Sequence, residues 1–132
     1  MKDKKVLLST LWIFVVLNYL YCDVVSLMDA HLLKQYLTGH VEGMDMTQGL
    51  FLGASVLMEI SISMVLLSRI LSFKPNRIAN MIAGLITTLV QIASLSGSPT
   101  PYYIFFSVIE ISATAFIFVT ALRWQSELDT HV

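Results

Sequence analysis

The chain has 132 residues, of which 56% are hydrophobic and 13% are charged, and its formal net charge is −1. This length allows one domain, and so large an apolar fraction exceeds what a soluble globular domain buries. The charge balance, with no run of Lys or Arg, excludes nucleic acid as a partner, because nucleic-acid binding depends on clustered basic groups. A single cysteine excludes an internal disulfide, and the spacing of Cys and His residues predicts no metal site.

Four stretches are apolar over the roughly 20 residues that a helix needs to cross the hydrocarbon core of a membrane. They lie at about 6–26, 46–70, 76–97 and 101–123. The sequence therefore predicts an all-α fold, an integral membrane four-helix bundle in which residues 1–132 form a single transmembrane domain. No small residues typical of a cleavage site follow the first stretch, so we interpret it as an uncleaved span and not as a signal peptide.

Residues at the predicted helix ends are typical of helix caps. Asp45 followed by Gln48 resembles a capping box for the second span, and Thr100 before Pro101 is typical of an N-cap followed by proline in the first turn. Gly97 is a candidate C-terminal residue for the third span.

The segment 27–45 is the one long connection between predicted spans. Asp29 is a candidate N-cap for a short helix through Leu37, and Gly39 follows it. The apolar residues of this helix share one side. We expect an amphipathic outer helix that lies on the membrane surface or over the mouth of the bundle.

The basic residues predict the orientation, because Lys and Arg near the ends of spans are retained on the cytoplasmic side. Lys34 falls on one side of the predicted topology, and the other seven fall on the opposite side: Lys2, Lys4, Lys5, Arg69, Lys74, Arg77 and Arg123. We therefore expect both termini in the cytoplasm.

Three carboxylic acids, Asp23, Glu59 and Glu110, lie within predicted spans. An ionised carboxylate in the hydrocarbon costs about 2.5 kcal/mol or more, so such residues indicate function. Residues three or four apart share a helix face, and each span has one polar stripe that we expect to turn inward. The stripes include Ser55, Glu59 and Ser63 in the second span, Asn80, Gly84, Thr87 and Gln91 in the third, and Ser107, Glu110 and Thr114 in the fourth.

The acids are predicted to form a ligand-binding or proton site in a cavity that opens outward. Its candidate residues are Asn18, Tyr19, Asp23, Glu59, Gln91, Tyr103 and Glu110. Since no basic residue is expected at their depth, each acid is either protonated and hydrogen-bonded to an amide or a tyrosine, or ionised beside a bound cation.

A structural interpretation of the same residues stays open. Interhelical hydrogen bonds in membranes stabilise a bundle by about 0.6 kcal/mol each, and protonated acids and amides can form them. Gly49 and Gly53 in the second span likewise predict close helix packing.

Several segments resemble a family of short bacterial membrane proteins with no assigned function. They are LNYLYCD (17–23), SLMD (26–29), LMEI (57–60), QIAS (91–94), PTPYY (99–103) and VIE (108–110). The resemblance covers nearly the whole chain and implies a multi-pass protein of the bacterial cytoplasmic membrane. Ser61 departs from it, since the resemblance implies a proline after Glu59-Ile60.

The size and the four-helix plan also resemble the broader DoxX-like group, some of whose members are linked to quinone or thiol redox systems. No catalytic motif of that group matches this sequence. The sequence therefore favours a non-enzymatic role while leaving a small membrane enzyme open, and it identifies no cofactor.

Three functions fit these features. The first is binding of a small apolar or amphipathic ligand, such as a quinone, lipid or amine, among the convergent acids. The second is proton-coupled transport, because the plan resembles the small multidrug transporters, which implies a homodimer. The third is an accessory subunit whose acids meet basic residues of a larger partner in the bilayer.

Overall fold

The computed structural model describes residues 3–41, 44–45, 47–95 and 100–124. These residues form five α-helices and one short antiparallel hairpin. In chain order they are α1 (Lys4–Met28), α2 (Ala30–Thr38), β1 (His40–Val41), β2 (Met44–Asp45), α3 (Gln48–Ile70), α4 (Phe73–Ala93) and α5 (Pro101–Arg123). The helical fold that the sequence predicts is confirmed, and the two-residue strands are an addition to the predicted all-α architecture.

The four long helices pack in a ring in the order α1, α3, α4, α5. The contact between α4 and α5 is the most extensive, and the contact between α3 and α4 is the least extensive. We call the end of the bundle where α1 leads into α2 and the strands the hairpin end. The opposite end, where α1 begins and α5 ends, is the terminal end.

Within the described ranges, three helices are long and apolar enough to cross a membrane: α1, α3 and α5. Helix α4 is not among them, although its 21 residues would extend about 31 Å. Polar residues lower the hydropathy of α4: Lys74 and Arg77 lie near its start, and the amides Asn76, Asn80 and Gln91 are buried within the bundle.

The N-cap predicted for α5 is confirmed, and the N-cap predicted for α3 is wrong. Thr100 is the N-cap of α5 and Pro101 its first residue. Helix α3 begins two residues later than predicted, so its N-cap is Thr47, whose Oγ1 accepts a hydrogen bond from Leu50 N at 3.1 Å. Asp45 belongs to strand β2 instead. Gly97 lies outside the described residues, and α4 ends before it.

The short helix α2 confirms the prediction for Asp29 and Gly39. Asp29 Oδ1 accepts a hydrogen bond from His31 N at 3.0 Å, and Gly39 ends the helix with a left-handed φ of 78°. The second carboxyl oxygen, Oδ2, accepts a bond of 3.1 Å from the Tyr102 hydroxyl. Asp29 therefore fixes the start of α2 to the first turn of α5.

The terminal half of the bundle contains a buried polar network centred on Asn80. The Trp12 indole donates to Asn80 Oδ1 at 2.8 Å, and the Ser68 hydroxyl donates to the same oxygen at 3.3 Å. The Asn80 amide donates to Asn76 Oδ1 at 2.7 Å, and the Asn76 amide donates to Ser68 O at 2.7 Å. Three helices, α1, α3 and α4, are joined by side chains whose polar atoms satisfy one another.

Apolar packing and three hydrogen bonds from side chains to backbone carbonyls complete this half. The Ser9 hydroxyl donates to Val65 O at 2.7 Å, and the Arg77 guanidinium donates to Ala121 O and Leu122 O at 3.0 and 2.8 Å. Arg77 thereby satisfies carbonyls that the last turn of α5 leaves without helical partners. The buried apolar core surrounds these contacts and comprises Leu8, Trp12, Val15, Met64, Ala83, Ala113, Ile117 and Trp124.

Of the described glycines in the long helices, Gly84 is the one where a neighbouring helix comes close, and not Gly49 or Gly53, which the sequence indicated. A Cβ atom on Gly84 would lie 3.3 Å from Thr114 O and from Phe118 N on α5. A Cβ atom on Gly53 would meet nothing within 4 Å, and one on Gly49 would meet only the Thr47 hydroxyl at 3.8 Å. The close packing predicted for Gly49 and Gly53 is therefore not formed with any described residue of the chain.

We expect Asn80→Leu to destabilise the bundle strongly. The substitution leaves the Trp12 indole N–H and Asn76 Oδ1 buried without their partner, and each such group costs about 1–3 kcal/mol. Unfolding of the purified protein by SDS titration in mixed micelles measures the effect. Asn18→Leu is the matched control, because the Asn18 amide donates only to Phe14 O of its own helix, and it should change the unfolding free energy little. Equal losses in the two variants would contradict a stabilising role for the network.

We expect Gly84→Val to destabilise the contact between α4 and α5 by about 1–3 kcal/mol, the usual range for overpacking. The added methyl groups must displace backbone atoms of α5, which cannot move aside as a flexible side chain can. Gly53→Val adds the same groups where space is open. Thermal unfolding in detergent should therefore separate the two variants clearly, and a similar melting temperature for both would refute the close approach.

Candidate functional site

A cavity of about 290 Å³ lies in the hairpin half of the bundle, and all four long helices contribute to its wall. Most of the wall is apolar, with polar groups from each helix. The lining residues are Tyr19, Cys22, Asp23, Ala54, Leu57, Met58, Ser61, Thr87, Val90, Gln91, Tyr103 and Glu110.

Glu110 provides the most distinctive group of the cavity. It is 1% exposed, and its Oε1 atom has no hydrogen-bond partner among the described residues. Ser61, on the α3 side of the cavity, is also fully buried, and its hydroxyl oxygen likewise has no partner within the described ranges. Buried polar atoms are almost always paired, so these two indicate a place for an added polar group.

The cavity has an acidic character. Asp23 on α1 and Glu110 on α5 both line it, and the described lining residues include no Lys, Arg or His. The basic residue Arg77 is engaged at the terminal end, where it bonds the last carbonyls of α5. A ligand that enters this cavity therefore meets hydrogen-bond acceptors and no positive charge from its wall.

Gln91 and Tyr103 are held by neutral partners at the edge of the cavity. The Gln91 amide donates to the Ser107 hydroxyl at 2.8 Å. The Tyr103 hydroxyl donates to Ser94 Oγ at 2.7 Å, and Ser94 in turn donates to Gln91 O at 2.7 Å. Among the described residues, the Gln91 side chain has Ser107 and not an acid as its hydrogen-bond partner, so the predicted bond between this amide and an acid is not formed there. Tyr19 lies between the cavity and the apolar core.

Two of the predicted site residues are not at the cavity. Asn18 is on α1, but its amide donates to Phe14 O at 2.8 Å on the same helix. Glu59 is exposed on the outer face of α3. The buried residues of that helix are Ser61, Met64 and Ser68.

The polar stripe of α3 therefore faces away from the bundle, contrary to the prediction that all the stripes turn inward. The stripes of the other helices behave differently, since Thr87 and Gln91 of α4 and Ser107 and Glu110 of α5 are buried. The sequence carries apolar residues around the whole of α3, so its periodicity alone does not distinguish the inner face from the outer one.

The cavity also includes residues that the sequence analysis did not select for a site. Ser61 is the most important of them because of its unpaired hydroxyl. Ser61 lies three residues before Met64 and seven before Ser68, so the helical period places all three on one face of α3. This spacing is the signal in the sequence that could have identified Ser61. Cys22 also lines the cavity, and it is a free cysteine.

The arrangement suits non-covalent recognition of a small molecule. An apolar wall with a few convergent acceptors binds the apolar part of a ligand by desolvation and orients its polar head by hydrogen bonds. No three His, Cys, Asp or Glu residues in the described part of the chain are grouped so that they could hold a metal ion.

Comparison with known proteins gives one relationship. The sequence profile of a family of unknown function, DUF6326, matches residues 1–130. No curated protein and no solved structure matches the chain. A match of this extent covers every helix of the bundle and every residue of the cavity, so the chain belongs to the DUF6326 family.

Proposed function

We propose that this chain is a membrane protein that binds a small amphipathic ligand in the cavity of the hairpin half. The polar head of the ligand donates hydrogen bonds to Glu110 and Ser61, and its apolar part contacts Leu57, Met58 and Val90. Among the ligand classes considered, an amine is favoured over a quinone or a neutral lipid. The observation that carries the proposal is the fully buried Glu110 carboxyl whose Oε1 atom has no partner among the described residues.

The chemistry of the acceptors supports an amine. An ionised carboxylate only accepts hydrogen bonds, and an ammonium group only donates them. A bond between two charged groups in an apolar surrounding is about twice as strong as a neutral one. A quinone offers acceptors alone and would require Glu110 to be protonated. Because some members of the DoxX-like group are linked to quinone systems, a quinone is the ligand against which the amine is to be compared.

The proposal includes four membrane crossings, with α4 as the third of them. Two features support this placement: α4 has nearly the length of the three apolar helices, and its amides are buried against neighbouring helices instead of facing outward. The basic residues favour a cytoplasmic terminal end, which would open the cavity toward the outer side of a bacterial cytoplasmic membrane.

Proton-coupled transport is the second candidate, and one observation favours it. Asp23 and Glu110 line one cavity without a basic side chain in its described wall, so protonation of either acid would be coupled to the charge of a bound cation. Counterflow of protons and an amine across proteoliposomes would distinguish a transporter from a binding protein.

Decylamine, decanol and a short-chain ubiquinone are suitable probes, added to the purified protein in lipid nanodiscs. We expect decylamine to bind most tightly, and Glu110→Gln to weaken its binding about 10- to 100-fold, because a hydrogen bond to a charged group contributes about 1.5–3 kcal/mol. Decanol has the same chain without the charge, so Glu110→Gln should weaken its binding much less. Isothermal titration calorimetry measures each dissociation constant.

Glu59→Gln is the matched control, since it makes the same chemical change on the outer face of α3, away from the cavity. It should leave decylamine binding unchanged. The proposal is refuted if Glu110→Gln and Glu59→Gln bind decylamine as the unaltered protein does, or if the unaltered protein binds none of the three probes.

A further inference from the structure

Glu59 stands at the centre of α3, with eleven helical residues on either side of it. At 1.5 Å per residue, each end of the helix is about 16 Å away. Helix α3 is one of the three helices apolar enough to cross a membrane, so this depth corresponds to the middle of the hydrocarbon core. The side chain is exposed and has no hydrogen bond or ion pair with any described residue.

The exposed face around Glu59 has a regular spacing. Its members are separated by four, three, four, three and four residues, and each of them is exposed. We call this face the α3 seam, and it comprises Gln48, Leu52, Ser55, Glu59, Ile62 and Leu66. This spacing is that of the a and d positions of a coiled coil, which keep one side of a helix turned toward a partner helix.

The polar residues of the α3 seam lie between the hairpin end of α3 and its centre. Among the described residues, the Ser55 hydroxyl donates a hydrogen bond only to the carbonyl of Phe51 on its own helix, at 2.8 Å. A carboxyl group at the bilayer centre costs several kcal/mol when lipid surrounds it, and a helix–helix interface that offers hydrogen bonds lowers this cost. The α3 seam is therefore unfavourable as a lipid-facing surface and favourable as an interface.

We infer that the α3 seam is the interface of a homodimer, in which α3 packs in parallel against α3 of a second copy. Seven of the eight Lys and Arg residues fall on one side of the predicted topology, which favours the same orientation for every copy. Two copies in that orientation are related by a two-fold axis along the membrane normal. Each residue of the α3 seam then faces its own counterpart at the same depth.

The polar groups of the α3 seam suit such a pairing. The hydroxyl of Ser55 and the amide of Gln48 each contain both a donor and an acceptor, and so does the carboxyl of Glu59 in its neutral form. Two carboxyl groups that meet can share one or two protons as hydrogen-bonded partners. A basic residue from a different protein could pair with Glu59 alone, whereas a second copy provides a partner for every polar group of the seam.

Cysteine crosslinking in native membranes tests the interface. In a background of Cys22→Ser, which removes the single natural cysteine, we expect Leu52→Cys and Ile62→Cys to form a disulfide-linked dimer on oxidation with copper phenanthroline. The matched controls are Leu89→Cys and Ile82→Cys on α4, at similar depths. The exposures are comparable: 67% for Leu52 against 58% for Leu89, and 46% for Ile62 against 54% for Ile82.

Co-expression of two differently tagged copies identifies the partner in the crosslinked product. Crosslinks between the two tags at the seam positions, with little product at the control positions, support the homodimer. Equal yields at seam and control positions, monomer alone, or a product that joins the chain to a different protein would each overturn it.

The dimerisation constant gives a second and independent measurement. We expect Glu59→Leu to weaken dimerisation in lipid vesicles about three- to thirty-fold, the range that one interhelical hydrogen-bonded contact provides, as measured by energy transfer between labelled copies on dilution with lipid. Glu59→Gln keeps a donor and an acceptor and should stay within about threefold of the unaltered protein. An unchanged constant in Glu59→Leu would refute the role of Glu59. Since Glu59 is not at the cavity, decylamine binding should be the same in all three proteins, whatever their dimerisation constants.

Discussion

The hydrogen bond from the Trp12 indole to Asn80 is the contact on which the rest of the bundle depends. It joins α1 to α4, which lie diagonally across the ring of helices, so it passes through the centre of the terminal half. Asn80 also accepts from Ser68 and donates to Asn76, which brings α3 into the same network. In a surrounding of low polarity such bonds have no competing water, and a network in which every member is paired specifies one arrangement of the helices.

The two halves of the bundle differ in how completely they are packed. The terminal half is filled by large side chains such as Trp12 and Ile117, and the amides satisfy one another. In the hairpin half a cavity is left between the helices, and the small side chains of Ser61 and Thr87 form part of its wall. The bond from Tyr102 to Asp29 holds the hairpin end of α5 to the junction between α1 and α2. A cavity bounded by a packed half on one side is suited to a ligand site, because its walls are positioned before a ligand arrives.

Two glutamates of the spans have opposite environments, although the sequence presents them alike. Glu110 is fully buried and faces the cavity, whereas Glu59 is exposed at the centre of α3. A buried acceptor is suited to a ligand, and an exposed acid in the bilayer is suited to another helix. The α3 helix therefore has two uses: its inner face, with Ser61, Met64 and Ser68, packs within the chain, and its outer face is available to a partner.

The sequence by itself determined the helical fold, the position of the long helices to within a few residues, and the caps at Asp29 and Thr100, because apolar length and local hydrogen bonding are encoded in neighbouring residues. It also selected five residues that meet at the cavity: Tyr19, Asp23, Gln91, Tyr103 and Glu110. Only the tertiary structure decided which face of α3 turns inward, the order of the helices in the ring, and the close approach at Gly84. The physical reason is that α3 has both apolar residues and serines on its inner and outer faces. Its rotation therefore follows from how its residues pack against α1 and α4 and not from its own periodicity.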